Sequence, residues 1–337
     1  MKRLTTALLG VLFLAVSCSK QDTKVAQEEE NSQLETIAIT QRSCAAQDVL
    51  EEQLKADPRL RQRMAEIESF TQRAIRNPEA YKLVGDTIEI PVVVHVLYHT
   101  AAENISDQQV NSQIEVLNED YKNKNADATN LPSNSFQSVA SPGLGVRFVL
   151  AQPPIHKYTK TTSFSSNDAV KNSKRGGDDV VNAAYNLNLW ACNLGGGLLG
   201  YAQFPGGSLS TDGVVILYSA FGSKAKYAGG TYTSKYDLGR TATHEVGHWM
   251  NLRHIWGDDN GACTGSDLVN DTPNQGAENY GTPVYPHISC SNAPTGDMFM
   301  NYMDYTDDKA MFMFSADQKT RMLAVFSPGG PRAQIGQ

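Results

Sequence analysis

An α+β fold is predicted by three features of this 337-residue chain. The run Ile88-Glu89-Ile90-Pro91-Val92-Val93-Val94-His95-Val96-Leu97-Tyr98 is β-branched and nearly continuous, as expected of a strand buried on both faces. Further strand-like and helix-like stretches mix between that run and residue 254. Beyond residue 254 regular periodicity gives way to loops rich in Gly, Asp and Asn. With 40% hydrophobic and 19% charged residues the chain can bury a sizeable core. A net charge of -7 argues against a nucleic-acid-binding surface, and the basic residues between 59 and 76 alternate with apolar ones, as on a solvated helix face.

In chain order, residues 1–18 are a targeting segment. Lys2 and Arg3 precede an apolar run, Ala7 to Val16, too short for a comfortable membrane span. The order Leu14-Ala15-Val16-Ser17-Cys18 resembles a bacterial lipobox with its leucine one position early, so a lipid anchor at Cys18 is expected, with an ordinary secretory signal as the alternative. Either exports the protein, to the medium or the surface of a bacterium, where disulfides persist and calcium is abundant. Residues 19–40, with Glu28-Glu29-Glu30, read as a flexible tether.

Residues 46–75 turn helical. Asp57-Pro58 marks a helix start, and Leu60, Met64, Ile67 and Phe70 would share one stripe, so the segment either covers the downstream domain or stands free as a spacer. After the strand at 88–98, Ser106 caps a helix with Val110, Ile114, Leu117 and Tyr121 on one face. Strands come next at Val146 to Leu150 and at Tyr185 to Trp190, where apolar and polar positions alternate. Gly195-Gly196-Gly197 opens no phosphate loop, since no Lys-Ser/Thr comes after it. It reads instead as a bulge before an exposed edge strand, Leu198 to Ala202, to which an extended peptide can add. Asp212-Gly213 turns into a second buried strand at 214–218, and Ser315-Ala316-Asp317-Gln318 is a capping box ahead of Met322, Leu323 and Phe326.

The chemistry gathers in His244-Glu245-Val246-Gly247-His248-Trp249-Met250-Asn251-Leu252-Arg253-His254. His244 and His248 lie one helical turn apart on a common face, in outline a Zn2+ site. Glu245, about 100° further round the helix, reaches a metal-bound water without becoming a ligand. For His254 to close the coordination sphere the helix must end first, and Asn251 tolerates the left-handed conformation that this turn requires. Thr241 or Thr243 falls in the first turn of the helix. The loops Gly257-Asp258-Asp259-Asn260-Gly261 and Asp267-Leu268-Val269-Asn270-Asp271-Thr272-Pro273 are carboxylate- and carbonyl-rich, so Asp267 and Asp271 are candidate Ca2+ ligands, with ordinary Asx turns as the alternative. Cys263 and Cys290 flank this stretch and are expected to pair, a closure contributing roughly 3 to 4 kcal/mol.

Together with Asn301-Tyr302-Met303-Asp304-Tyr305, these motifs resemble the metzincin metalloproteases and, within that clan, the pappalysin family. The match runs from about 86 to 327 and departs at Asn251, where a glycine is usual. The resemblance implies a metzincin-like catalytic domain at 77–337: a twisted mixed sheet with an edge strand, a zinc helix, then an irregular lower subdomain with a methionine turn. A short helical pro-segment at 41–76 precedes it. Met303 would floor the metal site, and Tyr305 would stabilise the tetrahedral intermediate. The Cys263/Cys290 pair and the calcium loop also fit the family. Cys44 would hold the enzyme latent as a thiolate on the zinc, the alternative being a disulfide with Cys192, which is otherwise read as simply buried.

The expected activity is hydrolysis of peptide bonds in protein or peptide substrates by a monomer that binds no nucleic acid and meets a membrane only through its anchor. Glu245 would take the proton of the attacking water. Two other classes remain: a zinc-bearing lipoprotein that binds peptides without cutting, and a zinc amidase acting on cell-wall peptides. Asp307 and Asp308 would favour a basic residue after the scissile bond, or else are solvated acids. Exposure alone points to Arg76-Asn77 as the activation cut.

Overall fold

The β-branched run forms β1 (Ile88–Tyr98), whose residues from Val92 to Leu97 are all buried. In this computed structural model the described residues are 39–80, 87–132, 136–259 and 261–335. The leader, and the tether up to residue 38, lie outside them. Along one side β1 pairs in parallel with β2 (Val146–Leu150) and then β3 (Ile155–Tyr158), and along the other with β4 (Leu187–Cys192). The antiparallel β5 (Gly200–Ala202) and the parallel β6 (Val214–Leu217) complete the sheet, in the order β2-β1-β4-β6-β5. β2 and β3 flank one side of the sheet and β5 ends the other; β5, expected as an exposed edge, has all three of its residues buried because residues 43–45 pair along it.

The stretch read as alternating from Tyr185 to Trp190 differs in its bounds and in its burial. β4 begins two residues later, and both its faces are buried. Its polar positions survive burial because the preceding loop satisfies them: Asn188 accepts from Val181 N at 2.8 Å, and Trp190 Nε1 donates to Asp178 O at 3.0 Å.

Helix α1 (Ala46–Ala56) and helix α2 (Arg59–Arg76) lie in the same compact unit as the sheet, Ile37–Gln337. They therefore cover the body rather than stand free of it. Of the expected stripe Leu60 is buried, packing with Ala46, Leu50 and Phe204, while Met64 and Ile67 are half-buried. Thr71 and Ala74 are the other buried positions of α2, small side chains that let the helix approach closely. Helix α3 (Asp107–Tyr121) starts at Ser106, whose Oγ accepts from Gln109 N, and buries Val110, Leu117 and Tyr121 in the main core with Val92, Leu189 and Val246.

Helix α4 (Arg240–Trp249) is buried throughout its length. After it the chain is irregular, apart from short turns, until α5 (Ala316–Ala324), which opens on the predicted capping box at Ser315. Polar anchors and a small apolar cluster around Met298, Met300 and Phe312 hold this region. Asp297 accepts from Ser289 Oγ at 2.5 Å and from Asn292 Nδ2 at 2.7 Å, and Asp304 accepts from Asn279 N at 2.7 Å. Cys263 and Cys290 form a disulfide across it, while Cys44 and Cys192 are free. The Cys44–Cys192 alternative is thereby excluded.

Candidate metal centre

Helix α4 carries His244 and His248 one turn apart, with their Nε2 atoms 3.1 Å from each other. The helix ends as its sequence requires. Asn251 adopts φ +74°, its N–H reaches His248 O, and Leu252 N reaches Gly247 O, both at 2.9 Å. This left-handed closure satisfies two carbonyls of the last turn and reverses the chain. His254 is thereby swung back until its Nε2 lies 3.1 Å from that of His248.

Three nitrogens this close raise a question of protons. His244 Nδ1 donates to Tyr302 O at 2.7 Å, and His248 Nδ1 donates to Leu252 O at 2.8 Å. A carbonyl can only accept, so each ring carries its proton on Nδ1 and turns an Nε2 lone pair inward. Asp258 fixes His254 in the same way, taking Nδ1 at 2.7 Å. Burial, followed by the neighbouring imidazoles, holds His244 and His248 well below the usual histidine range. Three converging Nε2 atoms suit a soft-to-borderline dication such as zinc, and the outer hydrogen bonds are those that orient imidazole ligands. Cys44 Sγ completes a four-donor group whose ligand atoms all lie within 4.8 Å.

Glu245 is buried beside this group. Its Oε2 accepts from Cys44 Sγ at 3.3 Å, while Oε1 has no hydrogen-bond partner. Burial pushes its carboxyl up to about 8, against the lowering effects of the Cys44 thiol and the Arg42 charge. Cys44 is held by main-chain pairing with the sheet edge. Leu199 N donates to Ser43 O at 2.9 Å and Ala45 N to Gly200 O at 3.1 Å, so this segment lies parallel to β5. Burial and then the Glu245 charge push its thiol well up; a dication beside it would invert that balance, since coordination deprotonates a thiol. Tyr305 Oη bridges the two sides, 3.3 Å from His254 Nε2 and donating to Cys44 O at 3.2 Å.

Met303 is fully buried beneath the helix. A methyl group on Gly247 would sit 2.5 Å from its Sδ, so the glycine inside the motif is a packing requirement. Gly247→Ala is expected to destabilise the fold by about 1–3 kcal/mol through overpacking, despite the better helix propensity of alanine. Thermal unfolding checks this, and an unchanged or raised midpoint would show that the methionine is free to move.

The chain distance between partners hid several residues from sequence reasoning. Arg42 is buried and donates to Asp308 Oδ1 at 2.6 Å, to Thr241 Oγ1 at 3.1 Å and to Thr306 O at 3.2 Å, with Tyr236 beneath its guanidinium. Asp308 is therefore neither solvated nor free, which corrects one reading of that loop. Arg240, at the start of α4, holds Asp120 at 2.6 Å and the Tyr302 hydroxyl, and Tyr302 in turn orients His244. Asp258, read with the cation loop, instead orients His254. Asp267 turns inward, accepting from Val269 N and Thr272 Oγ1, and burial pushes it up to about 7. Asp271 Oδ2 accepts from Asp317 N, while its buried Oδ1 has no partner. Among the described residues neither aspartate belongs to a cluster of three or more metal-ligating side chains.

Comparison with known proteins matches residues 172–327 to the pregnancy-associated plasma protein-A peptidase family. An extracellular metalloprotease of Pyricularia oryzae is 33% identical over 245 residues, 71% of this chain and 75% of that protein. Mature mirolysin of Tannerella forsythia, solved in complex with a cleaved peptide, is 48% identical with a TM-score of 0.71, covering 75% of this chain and 97% of that one. A promirolysin variant from the same organism is 43% identical with a TM-score of 0.78, covering 88% of this chain and 97% of that one.

Proposed function

Since the chain belongs to the pappalysin family of zinc metalloproteases, we propose that it is an exported endopeptidase made as a latent zymogen, in which His244, His248 and His254 hold the zinc and Glu245 is the general base. The observation that carries this reading is the convergence of three Nε2 atoms, each ring tied to an oxygen through its Nδ1, beside a buried Glu245 oxygen with no partner. Zinc bound there would lower the pKa of its water toward neutrality and polarise the scissile carbonyl. Glu245 takes the proton of the attacking water and passes it to the departing amine. Tyr305 Oη donates to the developing oxyanion, and Met303 supports the site from below. Once residues 43–45 have left it, the edge of β5 receives the substrate backbone as an added strand. Asp308 takes a basic side chain after the scissile bond, a role supported by the guanidinium of Arg42 that it already holds.

Residues 41–76 act as the pro-segment and 77–337 as the catalytic domain, with Cys44 occupying the fourth zinc position until the chain is cut. Residues 76–80 are exposed, which supports Arg76-Asn77 as the cut. The export signal and the anchor at Cys18 remain part of the proposal. So does a structural calcium on the Asp267 to Asp271 loop, supported by the unpartnered Asp271 Oδ1.

Casein digestion by the secreted protein, with and without a zinc chelator, tests the function. Loss of cleavage with chelator and its return on adding zinc are expected, with Asn77 as the N-terminus of the active form. Chelator-resistant digestion would sink the zinc mechanism. No digestion at all would favour the peptide-binding lipoprotein, and cleavage confined to cell-wall fragments the amidase.

A further inference from the structure

Away from Asp308, beyond Phe204, two arginines have no task in the proposed chemistry. Arg321, on α5, has a side chain only 1% exposed. Its Nε donates to Asn251 O at 2.8 Å, and its two terminal nitrogens grip the carboxylate of Glu68 from α2, at 3.1 and 2.6 Å. Arg253, next to His254, lies with its guanidinium over the Phe204 ring at 5.5 Å. Arg253 and Glu68 line one cavity of about 360 Å³, whose walls on the catalytic side are Pro205, Asn251 and Leu268. Among the described residues Glu68 is the ion-pair partner of Arg321, and Arg253 has none within 4.0 Å.

Glu68 belongs to the segment that leaves on activation. Its departure, with the α1 and α2 walls of the cavity, strips the carboxylate from the buried guanidinium of Arg321 and uncovers Arg253 beside Pro205, Asn251 and Leu268; the two like charges act on each other, which favours a new anion. The two-pronged geometry suits a carboxylate, and the apolar wall of Leu268 and Pro205 suits the methylene stem of a glutamate. We infer that this arginine pair is a substrate subsite for an acidic side chain on the N-terminal side of the scissile bond, filled in the latent chain by Glu68. The direction rests on the proposed function, in which Asp308 takes the residue after the scissile bond. A peptide whose residue after that bond reaches Asp308 must run its preceding residues the other way along β5, toward Phe204 and Arg253.

The test uses enzyme activated from the full chain and fluorogenic peptides with arginine after the scissile bond. They differ only by Glu or Gln at the second, third or fourth position before that bond. At one of these positions Glu is expected to raise kcat/KM by about tenfold, the scale of one charge-assisted hydrogen-bond pair. Arg253→Gln should bring the Glu/Gln ratio toward one. Glu68→Gln, made in the full chain, should speed activation and leave the ratio of the activated enzyme untouched, because that residue is then gone. Equal kcat/KM for Glu and Gln peptides at all three positions, in enzyme that cleaves both, would overturn the subsite while the protease reading stood. Failure to cleave any of the peptides would overturn both.

Discussion

Glu245→Ala is expected to lower peptide hydrolysis by about 10²–10⁴-fold while zinc content stays at one per chain. The separation of the two readouts is a matter of geometry. The imidazoles are oriented by Tyr302 O, Leu252 O and Asp258, none of which touches the Glu245 carboxylate. Removing the carboxylate deletes the proton acceptor and leaves the donors in place. Metal analysis and turnover of a fluorogenic peptide, on the same preparation, decide the matter. Retained turnover would remove Glu245 from the role of base, and lost zinc would make it a structural partner of the site.

The second large effect concerns latency. Cys44→Ser replaces a soft thiolate donor by a hydroxyl, a poor zinc ligand at neutral pH. The uncut chain should then hydrolyse a small peptide at an initial rate on the order of tenfold or more above wild type. Electrophoresis must show the chain intact over the same interval. If the variant were as silent as the wild type, blockage would reside in the other contacts of the segment. The buried Arg42–Asp308 pair is the foremost of these, since breaking such a pair by losing one partner costs about 3–5 kcal/mol.

Local sequence was an adequate guide wherever one turn of chain carries the whole interaction. The His244/His248 spacing, the left-handed Asn251, the Ser106 cap and the Ser315 capping box are each complete within six residues, so propensity and spacing specify them. The three histidines were legible from one eleven-residue stretch, but Cys44, 200 positions before His244, was reached only through the family resemblance, and the orientation of the rings was not legible at all. Tyr302 lies 58 residues from His244; Arg240 ties its hydroxyl to the first turn of α4 and Met313 O holds its backbone N–H. Arg42 and Asp308 are 266 positions apart, and nothing in either neighbourhood marks the other. β4 shows a related limit, since alternation reports chemistry, whereas the loop that satisfies Asn188 and Trp190 decides exposure.

Continuity of the chain from the Cys44 segment through α2 toward β1 has a consequence for dose. While the backbone is whole, the blocking segment competes at an effective concentration set by its tether, in the millimolar range for a short connection. A cut after Arg76 turns the same contacts into a two-body equilibrium that weakens as the solution is diluted. Proteolysis at this point need not alter the cleft to switch the enzyme on; volume completes what the cut begins. Enzyme activated in a confined space would stay partly checked by its own released fragment, and enzyme shed into a large volume would not.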